Sequence, residues 1–244
     1  MILTPGRCGE WAALVAPDGA PLCRALADGR GIREQCSRIL RDDQRSFVGL
    51  LSLGGRSIVA KSPLEKDRRR WSRMISLGRE SYVFRTLRAL AALEAARVPV
   101  ARGLLALERR QAGHVVESWL FTRWLEGTPC TAADVPEVIT LLDRMHRAGW
   151  VHGDAHIQNF VRGTDGVQTL DPGPHRKRWG RVSEAYDLIL LRNSRPDVGA
   201  AFARAQPAAG RSTAFQIASA YDDLIHLWRR IKRTARQWTG GGEG

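Results

Sequence analysis

Apolar and polar positions fall into two regimes along the chain, with a break near residues 124–129. In the first, short runs alternate. Ser46–Leu53 and Arg56–Lys61 read as two strands joined at Gly54-Gly55, whose freedom to take positive φ suits a tight hairpin. Glu34–Asp43 fits a preceding strand, and Gly103–Leu107 and Val115–Trp124 fit two later ones. Between them Val83, Leu87, Leu90 and Ala91 recur at helical spacing, predicting a helix over 79–96. Residues 124–129 break the pattern like a linker. In the second regime a helix is expected from Ala132 to about Ala148, with Leu141, Leu142 and Met145 on its apolar face. Two or three more helices fill 182–238.

These elements predict an α+β chain of two lobes, β-rich over 31–124 and helical over 125–238. Residues 1–30 are rich in Gly, Pro and Ala and suggest no role, and 239–244 read as a disordered tail. The last helical stripe, Leu224, Trp228, Ile231, Ala235 and Trp238, admits two uses. By default it is the final core element; with Arg229, Arg230, Lys232, Arg233 and Arg236 around it, it could instead lie in a membrane interface.

Composition narrows the classes. With 43% hydrophobic and 26% charged residues among 244, the chain is globular rather than disordered. The opening segment lacks the basic-then-apolar order of a secretory signal and no run is long enough to span a bilayer, so a cytoplasmic location is expected. The four cysteines are scattered without a CxxC pair, predicting neither a zinc knuckle nor a disulfide framework. The formal charge of +13 points to an anionic partner: nucleic acid, a phosphorylated substrate or a membrane surface. Of 38 basic residues only four are Lys, so a lysine at a meaningful place carries weight.

The densest chemical signal runs from Met145 to Asn159. It places His152, Asp154 and Asn159 in one loop, and Asp171-Pro172-Gly173 follows twelve residues later. This spacing resembles the protein-kinase-like superfamily, with its H-x-D-x-x-x-x-N loop and D-x-G motif. The resemblance implies phosphoryl transfer from ATP. Asp154 would orient and deprotonate the attacking hydroxyl, Asn159 and Asp171 would hold Mg2+, and His152 would brace the loop. Val59-Ala60-Lys61 ends a hairpin strand where such kinases carry the lysine that grips the phosphates. Glu80, followed by Val83, Phe84 and Leu87 at i+3, i+4 and i+7, is the expected carboxylate partner of Lys61, with Glu94 as a substitute.

Two departures stand out. The expected phosphate loop near Asp42–Ser46 has no glycine, and Pro172 replaces the Phe of D-F-G. The H-G-D spelling and the 73 residues after Asp171 point away from typical protein kinases. Arg45–Trp71, including Lys61-Ser62-Pro63 and Lys66-Asp67-Arg68-Arg69-Arg70-Trp71, is similar to the lipopolysaccharide core heptose kinases, as is His114–Phe121. That resemblance implies a kinase for a heptose of the lipopolysaccharide inner core, peripheral at the Gram-negative inner membrane. Its partners would be the core glycolipid and an anionic membrane surface, with no nucleic acid. Arg68, Arg69 and Arg70, with Arg176, Lys177 and Arg178, are the candidate contacts to anionic substrate groups. Alternatives are an atypical protein kinase, a small-molecule phosphotransferase, or a basic scaffold on a non-catalytic kinase fold.

Overall fold

A computed structural model describes residues 2–27, 31–64 and 79–239; for residues 229 and 232–239 it describes the backbone alone. Two compact units emerge. One comprises residues 1–128 and 161–175, the other 129–160 and 176–244.

The first unit is built on a seven-stranded sheet whose neighbours all run antiparallel. Its strands are β1 (Thr4–Cys8), β2 (Trp11–Val15), β3 (Arg38–Asp42), β4 (Phe47–Leu53), β5 (Arg56–Ser62), β6 (Gly103–Gln111) and β7 (His114–Arg123). The order is β1-β2-β6-β7-β5-β4-β3. Gly54 and Gly55 take φ of 57° and 74° in the β4–β5 turn, as the hairpin reading requires. Residues 4–15, where the pattern suggested nothing, supply two strands. β1 is an edge strand exposed at four of its five positions, so no burial alternation marks it in the sequence.

The strand period of two sorts side chains onto two faces. Leu14, Ala106 and Leu120 meet Val83, Leu87 and Leu90 of helix α2 (Tyr82–Ala95). Ala13, Leu105, Leu107, Trp119 and Phe121 point the other way, into a cluster with Leu22 and Leu26 of α1 (Ala20–Leu26). Leu87 is fully buried, and truncating such a side chain to Ala costs about 2–5 kcal/mol. The turn into α1 docks on β6. Ala16 N–H donates to the Leu104 carbonyl at 2.9 Å, and a Cβ on Gly19 would lie 2.0 Å from that oxygen, so only glycine fits. Cys8 and Cys23 are joined by a disulfide, correcting the expectation of none. Packing of α1 beside β1 brings their Cα atoms to 5.5 Å, a proximity that sequence spacing does not reveal.

In the second unit a 3-10 turn, Ala132–Asp134, leads into α3 (Val135–Arg147) and is closed by a capping box: the Thr131 side chain and backbone N–H both contact the Asp134 carboxylate, at 3.1 and 2.7 Å. Val135, Val138, Leu141, Leu142 and Met145 form its buried stripe. Helices α4 (Arg181–Arg192), α5 (Pro196–Ala205) and α6 (Thr213–Thr239) follow, with α4 packed on both of the others. On α6 the described members of the stripe read as a default core element are not core, and the side chains of Ala235 and Trp238 lie outside the described ones. Leu224, Trp228 and Ile231 are about 60% exposed, at 60%, 61% and 59%.

Candidate active site

In the second unit the chain leaves α3 through Gly149, at φ 82°, and forms a short extended stretch, Trp150–Val151, before the loop of interest. The loop's backbone is locked by one carboxylate. Asp187 on α4, 1% exposed, accepts from the N–H of His152 at 2.7 Å and of Gly153 at 2.8 Å, and lies 2.9 Å from His146 Nε2 on α3. A buried carboxylate needs such partners, and here they belong to the segment just before Asp154. Asp187 and His146 are the residues that reading the sequence missed. The available signal was an acid within the apolar stripe of a helix, flanked by Ala185 and Ile189, both buried.

Past the lock, Asp154 turns outward, its side chain 66% exposed. His152 is fully buried against Phe160, and its Nδ1 accepts from Asp154 N–H at 3.3 Å, a bracing position. Asn159 Nδ2 donates to the Asp154 backbone oxygen at 2.7 Å and to its Oδ2 at 2.9 Å, closing the loop on itself. His156 Nε2 stands 3.6 Å from Asp154 Oδ1, and its Nδ1 is 3.5 Å from Ser194 Oγ.

In the first unit Lys61 lies on β5 between Val48 of β4 and Leu120 of β7. Strands β8 (Phe160–Gly163) and β9 (Gly166–Thr169) lead to Asp171. Thr169 N–H donates to Pro99 O at 3.0 Å and Thr169 O accepts from Ala101 N–H at 3.2 Å, which fixes where Asp171 emerges. Asp171 takes φ of 46°, a left-handed conformation that Asp tolerates better than most residues. Its carboxylate forms an ion pair with Lys61. The two open onto a pocket walled by Tyr82, Val83 and Thr86 of α2 and by Leu120.

The expected pairing of Glu80 with Lys61 is not formed. The helix starts at Tyr82 with Ser81 as its cap, so Glu80 lies outside the stripe, exposed, and pairs with Arg88 at 2.8 Å. Glu94 pairs with Arg102 at 3.3 Å. The α2 wall of the pocket presents a phenol, a hydroxyl and an aliphatic side chain rather than a carboxylate.

The glycine-free turn between β3 and β4 is organised by Asp43. Its Oδ1 accepts from the N–H groups of Arg45 and Ser46, both at 2.8 Å, and Arg41 Nε donates to its Oδ2 at 2.6 Å. These bonds, led by that from Ser46, hold the Asp43 carboxyl below its ordinary pKa. The backbone donors that a glycine-rich loop would offer to phosphate are here taken by the turn's own side chain.

Of the basic clusters, Arg68, Arg69 and Arg70 lie outside the described residues. The other cluster divides. Lys177 pairs with Glu184 at 2.7 Å. Arg176 stacks 4.0 Å over Trp150, and Arg178 is exposed.

No family model and no curated protein matches the chain. Among solved structures it is similar to WaaP in complex with acyl carrier protein. The TM-score is 0.54 and the identity 19%, over 91% of this chain and 98% of that one. The fold is the bilobal protein-kinase-like one. At that identity the likeness carries the fold, with a β-rich N-lobe and a helical C-lobe, and it fits the resemblance to the lipopolysaccharide core heptose kinases seen in the sequence.

Proposed function

We propose that this chain is a kinase transferring the γ-phosphoryl group of ATP, with magnesium, to a hydroxyl of a sugar. The substrate this reading favours is a heptose of the lipopolysaccharide inner core, met at the cytoplasmic face of a Gram-negative inner membrane. The observation that carries the reading is the ion pair of Lys61 with Asp171. A cation suited to phosphate oxygens and a carboxylate suited to a metal face one pocket in a kinase-like fold.

The roles follow from the side chains. Lys61 would neutralise phosphate oxygens of the nucleotide, exchanging its present partner for them. Asp171 and Asn159 are a carboxylate and an amide, hard oxygen donors of the kind magnesium takes while keeping most of its waters. When bound, the metal supplies charge neutralisation on the phosphoryl group. Asp154, exposed on a locked loop, would orient the acceptor hydroxyl and take its proton as the new O–P bond forms, and ADP would leave with the electrons of the broken bond. His152 and Asp187 would hold that carboxylate in place without touching substrate. Arg176, Lys177 and Arg178 are candidates for anionic groups on the acceptor, Lys177 by exchanging Glu184 for them.

Mass spectrometry of core oligosaccharide from cells with and without the gene tests the substrate. Loss of one phosphate per core in the deleted strain is expected; identical phosphate content in both strains would overturn the assignment.

A further inference from the structure

Helix α6 spans 27 residues, about 40 Å at the usual rise per residue. Its first turns are held by the protein. Phe215, Ala218 and Asp222 are buried on one face, with Phe215 stacked on Phe202 and Asp222 bonded to Asn193 at 3.0 Å. Beyond Asp222 none of the described side chains up to Ile231 is buried.

The exposed part is amphipathic in an unusual sense. At 100° per residue, Ile217, Tyr221, Leu224, Trp228 and Ile231 fall on one stripe, opposite the face that Phe215 and Asp222 bury. All five are exposed, by 46–61%. From Ile217 to Ile231 the stripe runs about 21 Å. By the same geometry the backbone positions of Arg229, Arg230, Lys232, Arg233 and Arg236 fall off that stripe, and no acidic residue follows Asp223 within the helix. Exposed aliphatics with Trp and Tyr along one side, on a helix whose only charged residues after Asp223 and His226 are basic, is the pattern of a helix lying in a lipid interface.

We infer that this face of α6 is a peripheral membrane anchor that seats in an anionic bilayer surface. The choice of a bilayer rests on the proposed reaction, whose acceptor is a membrane glycolipid; the exposed apolar stripe and its charge do not depend on it. Charge complementarity selects the occupant. A second copy of the helix would bring five cations against five, whereas an anionic leaflet attracts each of them and needs no shape match to a linear stripe. No described helix is long and apolar enough to cross a membrane, so α6 would lie in the plane.

The test uses the full chain and vesicles of phosphatidylethanolamine with phosphatidylglycerol, against phosphatidylcholine alone. Two variants are compared with wild type. One carries Leu224→Gln, Trp228→Gln and Ile231→Gln; the other carries Arg229→Gln, Arg230→Gln, Arg233→Gln and Arg236→Gln. Cosedimentation of wild type with the anionic vesicles is expected, weakened about tenfold or more in each variant. Helix content and activity on a deacylated, water-soluble acceptor should be unchanged. Wild type that ignores anionic vesicles, or variants that bind them as wild type does, would overturn the inference. Capture of the stripe by an acidic protein while vesicles are ignored would do the same. If vesicle binding behaves as expected but no protein phosphorylates the soluble acceptor, the anchor stands and the kinase reading falls.

Discussion

Lys61 on β5 and Asp171 after β9, 110 positions apart in sequence, form an ion pair. Each is the other's counter-charge within one unit. If Asp171 is the metal ligand, Asp171→Asn should weaken the magnesium dependence of nucleotide binding and lower activity with it. Isothermal titration of nucleotide at several magnesium concentrations is the check. An unchanged magnesium profile would remove Asp171 from that role.

Asp154→Ala should leave the fold intact, because its side chain is mostly exposed and beyond the locked part of the loop. Turnover should fall by about 10²–10⁴-fold, the usual worth of a positioned acid–base group. Equal rates for the variant and the wild type would exclude Asp154 from the chemistry.

Asp187 acts through the backbone. Asp187→Ala would strand the buried N–H of His152, at about 1–3 kcal/mol for an unsatisfied group, and release that of the exposed Gly153 to solvent. Urea denaturation should show the loss, and hydrogen exchange should quicken at these two amides more than in α5. Asp187→Asn retains one acceptor oxygen and should recover part of both. Protection at 152 and 153 that survives the alanine variant would argue that another group holds the loop.

The Asp43 turn carries a pH signature. Its carboxyl is held below the ordinary Asp value of about 3.9, so the turn's contribution to stability is complete above that value. It is lost as pH falls through the lowered folded value. An NMR titration should show the Asp43 carboxyl and the amides of Arg45 and Ser46 moving together below the ordinary range. Separate midpoints, or one at the ordinary value, would contradict the hydrogen-bonded turn.

Local pattern carried much of this fold. The β4–β5 hairpin, α2, α3 and the helices after residue 181 were legible because their periodicity and turn glycines coincide with burial. Spacing singled out Lys61, Asp154, Asn159 and Asp171, and the structure joins Lys61 to Asp171 and Asn159 to Asp154. What was hidden depends on tertiary contact. β1 is an exposed edge and shows no alternation, and the Cys8–Cys23 bond needs α1 beside it. Glu80 sat at helical spacing from Val83 and Leu87, yet the helix begins at Ser81's cap and leaves it to Arg88. Asp187 stood out in sequence only as an acid among the apolar positions of a helix, and what it holds became visible once α4 was seen to face the loop.

The most direct measurement is ATP-dependent phosphoryl transfer to purified, unphosphorylated inner-core glycolipid, with product analysed by mass spectrometry. The wild-type protein with magnesium should add one phosphate to a heptose, and the Asp154→Ala and Asp171→Asn proteins should add little or none in the same time. Transfer to no core sugar by the wild-type protein, under conditions where it binds ATP, would contradict the account.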